Sequence, residues 1–186
     1  MLLLKYFITY QNMKHLLRLT AFISLIFSPL YAHPALGVNS DPWLSWFGNY
    51  HFIFLHFPIA LIIMACVAEG LLSWKKNPQY NLVINFLMIS AAILAIPTVF
   101  SGLSLKESGA VAEGMNPLLE WHEIFGFMTL SLTIITVIIR NVWGRHFVYF
   151  LSLFALLVSV ITTAHLGGLM AFENFNLLPP FLNPHP

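Results

Sequence analysis

Four long apolar runs, separated by short polar connections, dominate the chain: His51 to Trp74, Leu82 to Leu103, Trp121 to Ile139 and Phe147 to Met170. Each is close to the ~20 residues that a helix needs to cross ~30 Å of hydrocarbon. Their apolarity is continuous rather than alternating, which argues against barrel strands. Short connections between such runs predict an all-α membrane protein, an antiparallel up-down four-helix transmembrane bundle. Ala60, Ala65, Ala68, Ala91, Ala92 and Ala95 are small enough to let helices approach closely. Pro58 falls in the first turns of its run, whereas Pro97 lies deep enough in the second to kink it. No internal repeat stands out. Ahead of the first run, the polar stretch from Gly37 to Asn49, with Trp43, Trp46 and the following Tyr50, reads as a set of interfacial anchors.

Residues 1–32 read as a signal peptide. Lys14 and Arg18 form a basic start, Leu19 to Phe27 an apolar stretch, and Ser28 to Ala32 a processing end. A retained anchor helix is the alternative. The chain then divides into a periplasmic segment (33–50), the bundle (51–170) and a proline-rich tail (171–186). Charge orients the bundle. Lys75, Lys76, Arg140 and Arg145 occupy two connections with no acid, while Asp41, Glu107, Glu113, Glu120 and Glu123 face Lys106 alone on the other side. The positive-inside rule puts the basic connections in the cytoplasm and both mature termini in the periplasm of a bacterial inner membrane.

Composition agrees, with 59% of the 186 residues hydrophobic and 8% charged, against about 25% charged in soluble domains. A net charge of +1 without a basic cluster leaves no footprint for nucleic acid. Cys66 is the one cysteine, so neither a disulfide framework nor a cysteine metal site forms within one chain. Phosphate-binding glycine loops, nucleophile elbows and zinc-helix motifs are all missing from the sequence.

The candidate chemistry is a layer of histidines. His56, His122 and His165 belong to three different spans and lie near the same outer face, and His51 opens the first span. Ionisable groups at membrane depth are costly and usually have a partner or a ligand. Neutral imidazole suits haem iron, copper or zinc. A b-type haem needs two axial histidines from different helices and room for the macrocycle, which Gly102, Gly126 and Gly168 would supply. The expected pair is His56 with His122 or His165, the third ring serving as a neighbour; His51 is read chiefly as interfacial. Copper or another small metal on His56, His122, His165 or His51 is the alternative cofactor, and hydrogen-bonded bracing of the helices is the reading without one. Glu69 stands near the basic end, within reach of Lys75 or Lys76, and Glu120 or Glu123 could orient a ligand histidine. The resulting expectation is a small electron-transfer subunit that binds haem b and meets a redox partner protein or quinone. Periplasmic copper handling, or a structural place in a homo-oligomer or membrane complex, are the rivals.

The stretch His56-Phe57-Pro58-Ile59-Ala60-Leu61 resembles the opening of a bacterial family of small, uncharacterised four-span membrane proteins. The likeness continues through Ser101-Gly102-Leu103, His122 and His165-Leu166-Gly167-Gly168, covering roughly Asn49 to Met170. It implies the same four-span fold and a candidate haem-binding or redox-linked role. Where that pattern carries an acid soon after the Gly-Leu, this chain has Ser104-Leu105-Lys106-Glu107.

Overall fold

The computed structural model describes residues 42–109 and 116–171. The expected signal peptide, Asp41, Glu113 and the tail beyond Ala171 lie outside the described residues. The protein is an all-α, four-helix membrane-spanning bundle. Its elements are α1 (Pro42–Asn49), α2 (His51–Phe54), α3 (His56–Lys75), α4 (Gln79–Glu107), α5 (Asn116–Trp143) and α6 (Phe147–Ala171). The first three form one membrane-length stretch, so that four such spans occur among the described residues. Every span runs past the bounds its apolar run suggests. The segment from Pro42 to Asn49, expected as a polar anchor, is itself helical and packs on α4.

Local chemistry explains the breaks. Pro58 has no N–H for the Phe54 carbonyl, and the helix is interrupted at Leu55, between α2 and α3. Gly48 lies so close to α4 that a Cβ there would come within 2.7 Å of the Leu105 backbone. Lys76 ends α3 in the left-handed conformation, φ 52°, its N–H donating to the Leu72 carbonyl. Helix α4 continues through Pro97.

Around the bundle α3 packs on α4, α4 on α5, α5 on α6, and α6 returns to α3, leaving α3 diagonal to α5 and α4 diagonal to α6. The two hairpins are equivalent. The fully or nearly buried residues Ile62, Ala65, Ala68 and Glu69 of α3 correspond to Thr133, Thr136, Ile139 and Arg140 of α5 at one constant offset. Ile84, Met88, Ala91 and Ala95 of α4 likewise correspond to Tyr149, Leu153, Leu156 and Val160 of α6. The first offset also aligns His51-Phe52-Ile53-Phe54 with His122-Glu123-Ile124-Phe125. In a two-fold arrangement, residues beside the axis touch their own equivalents. Two such pairs occur, one near each end: His51 meets His122, and Glu69 meets Arg140 across 71 positions of sequence. The bundle is therefore a parallel repeat about an axis running along it, an arrangement that membrane proteins use widely.

The pair at the basic end is an ion pair out of contact with solvent. Arg140 Nη1 donates to Glu69 Oε2 at 2.7 Å, and the Tyr149 hydroxyl donates to the same oxygen at 3.0 Å. Arg145 Nε donates to the other oxygen. Asn85 and Asn81 accept from Arg140 Nε and Nη2 at 2.6 and 3.0 Å. Glu69 is thus compensated by Arg140 and Arg145, not by Lys75 or Lys76. A charge at this depth is tolerable only when so enclosed.

Mid-bundle, Thr136 is fully buried and its hydroxyl has no hydrogen-bond partner among the described residues. Replacing it with isosteric valine removes an unsatisfied polar group. Thr136→Val is expected to leave stability unchanged or raise it by about 1–2 kcal/mol. Thermal unfolding in detergent checks this, a loss of more than 1 kcal/mol being the contrary result.

Candidate cofactor site: a histidine pair on the bundle axis

His51 opens α2 directly after the turn at Tyr50, which directs its ring toward α4. Its Nδ1 donates to the Thr98 carbonyl at 2.9 Å, with Ser101 Oγ 3.5 Å from the same nitrogen. His122, in the second turn of α5, repeats the arrangement on α6, its Nδ1 donating to the Thr163 carbonyl at 2.9 Å. A glycine backs each ring at equivalent positions. A Cβ on Gly102 would lie 2.9 Å from His51 Cε1, and one on Gly167 would lie 3.1 Å from His122 Cε1. Because a carbonyl only accepts, each Nδ1 carries the proton, and each neutral ring keeps its lone pair on Nε2. A backbone carbonyl holding the far nitrogen is also how ligand histidines are usually oriented.

The ring centroids are 6.3 Å apart and the ring planes stand at 89°. Two imidazoles ligating one ion from opposite sides have centroids about 6 Å apart: a metal–nitrogen bond of ~2 Å, plus ~1 Å from nitrogen to ring centre, on each side. The pair has that spacing. Beneath His122, Thr129 Oγ1 bonds Ser159 Oγ at 2.8 Å and Thr163 Oγ1 at 3.1 Å, fixing α5 against α6 below the Thr163 carbonyl. At the rim, Lys106 of α4 pairs with Glu123 of α5.

The other expected site residues lie elsewhere. His56 is exposed, and its Nδ1 donates to the Phe52 carbonyl one turn back at 2.6 Å. It closes the turn that Pro58 opens. His165 is also exposed, since Thr163 and Gly167, two residues to either side, are the positions that face His122. Five residues separate His51 from His56, a rotation of about 140° at 3.6 residues per turn, so the two cannot share a face. The structure thus joins His51, not His56 or His165, to His122. A Cβ on Gly126 would meet nothing within 4 Å, whereas Gly102 abuts a ring; Gly168 follows Gly167 at the same level. Glu123 is engaged by Lys106, and Glu120 is exposed. Among the described residues, no group of three or more His, Cys, Asp or Glu side chains could hold a metal ion.

A scan of family models matches residues 49–175 to "Predicted membrane protein (DUF2231)". The chain belongs to the DUF2231 family. No curated protein and no solved structure matches it. The DUF2231 match takes in both hairpins, and with them both members of the histidine pair and both members of the Glu69–Arg140 pair.

The glycine behind His51 provides a direct test of the geometry. Gly102→Ala puts a methyl within 2.9 Å of the ring and is expected to displace it, at a cost of about 1–3 kcal/mol. Gly126→Ala, with open space around the new methyl, is expected to be neutral or stabilising. Paired unfolding curves check the contrast, which equal effects of the two variants would contradict.

Proposed function

We propose that this protein is a membrane electron-transfer subunit in which His51 and His122 would hold one b-type haem. The observation that carries the reading is the histidine pair itself, with ring centroids 6.3 Å apart, the separation of two imidazoles that share one ion. Haem supplies one-electron transfer when bound. The donor set favours haem over a free metal ion. A porphyrin brings four nitrogens and asks the protein for two, whereas structural zinc asks for four protein ligands and catalytic zinc for three. Among the described residues, the pair has no third His, Cys, Asp or Glu to offer.

Each residue near the site has a definable part. The Thr98 and Thr163 carbonyls fix the tautomer and rotation of the two rings. Gly102 and Gly167 give the rings room, and the Lys106–Glu123 pair ties the hairpins together beside them. Exposed Trp43, Trp46 and Trp121 suit the headgroup layer at this end. The positive-inside rule supports a bacterial inner-membrane location with this end periplasmic, since four cations face one carboxylate at the other end. A redox protein or quinone would then meet the site from the periplasmic side.

Reduced-minus-oxidised visible spectra of the purified full-length protein, with haem and metal quantified per chain, test the proposal. One haem b per chain is expected. Stoichiometric copper without porphyrin would transfer the histidine pair to copper handling. Neither cofactor after growth with ample haem and copper would leave the pair as a brace between hairpins.

A further inference from the structure

At the basic end, a cavity of about 470 Å³ opens between the α3–α4 connection and the start of α6, lined by Leu72, Ser73, Lys76, Pro78, Asn81 and Arg145. Its electrostatics are unbalanced. Glu69 is the one carboxylate at this end among the described residues, and it is already satisfied by Arg140, Tyr149 and Arg145. Arg140 is buried, out of reach of the cavity, and also donates to Asn81 and Asn85. Arg145 is different. Of the five N–H groups of a guanidinium, it commits one to Glu69 and one to Ser73 Oγ. Its side chain is 34% exposed and lines the cavity. Lys76, held by its left-handed backbone at the end of α3, adds a second cation to the same wall, with no ion-pair partner among the described residues.

We propose that this cavity binds a phosphate ester, the headgroup of an anionic phospholipid. A planar guanidinium with donors to spare and an ammonium beside it match the oxygens of a phosphodiester. The Asn81 amide, its oxygen taken by Arg140, has N–H groups to add, while Ser73 Oγ, donating to the Glu69 carbonyl, serves to hold Arg145 in place. Leu72 and Pro78 form an apolar flank, as the glycerol end of a lipid requires. Trp74, Leu82 and Phe147, among the most exposed large hydrophobics of the protein, surround this end, as side chains that face lipid would. Basic pockets between membrane helices at such a level are established places for anionic headgroups. The proposal is independent of the histidine pair and stands whatever that pair binds.

The test uses the full-length protein in nanodiscs and in detergent. Native mass spectrometry and thermal shift would be read with phosphatidylglycerol, with phosphatidylcholine and with inorganic phosphate. Saturable retention of phosphatidylglycerol over phosphatidylcholine is expected. It should weaken about fivefold in Lys76→Gln, from the loss of one near-surface cation, and hold in Lys75→Gln, the neighbouring lysine outside the cavity. Lys76 is exposed, so neither variant should disturb folding. Equal protection by inorganic phosphate, sensitive to Lys76→Gln alone, would keep the anion site and assign it to free phosphate. No preference between the two lipids, or the same loss in both lysine variants, would overturn the proposal.

Discussion

His51→Ala and His122→Ala are each expected to lose the bound haem, while His56→Ala and His165→Ala retain it at the level of the unaltered protein. The magnitude follows from coordination. Removing even an outer partner of a ligating histidine costs 10–100-fold in affinity, so deleting one of only two axial ligands should exceed that range and leave substoichiometric cofactor after purification. Spectra of the four alanine variants, with haem counted per chain, decide the matter. Retention in His51→Ala together with loss in His56→Ala would reverse the assignment. Uniform retention would show that none of these rings is a ligand.

The sequence carried the architecture because membrane spans are written in length and apolarity, which need no knowledge of partners. It carried depth equally well, placing His51, His56, His122 and His165 toward one face. It did not carry azimuth. The choice between His51 and His56 depends on which side of α2 and α3 faces the axis, and nearly featureless apolar spans give no stripe from which to read that. One signal was available. His-x-Ile-Phe at His51 recurs at His122, and Thr-x-x-x-Gly at Thr98 and Gly102 recurs at Thr163 and Gly167. The repeat is faint, because burial recurs at equivalent positions while identity and size do not: Ala65 answers to Thr136 and Ile84 to Tyr149. It emerged from matched burial and from two self-contacts. The partner of Glu69 was hidden for a related reason. Arg140 belongs to another span, whereas Lys75 and Lys76 are near in sequence alone.

Glu69→Ala is expected to be among the most destabilising single substitutions, costing about 3–5 kcal/mol. It would leave Arg140, 6% exposed, as a buried cation with two amide oxygens and the Tyr149 ring but no counter-charge beside it. The reciprocal Arg140→Ala should cost less, because Glu69 keeps Arg145 and Tyr149 as donors. Arg145→Ala should cost under about 1 kcal/mol, as expected for a partly exposed partner. The decisive comparison is the double variant that combines Glu69→Ala with Arg140→Ala. With both charges gone, the desolvation penalty disappears with the attraction, so the double variant should be more stable than Glu69→Ala alone. Reversible unfolding in mixed detergent, followed by tryptophan fluorescence, gives the four free energies of the cycle. Additive losses would mean that the two groups do not meet across the axis, and the two-fold pairing of the hairpins would then rest on the histidines alone. Strong coupling would establish that an ion pair closes the axis at the basic end, as the two-fold pairing of the hairpins requires.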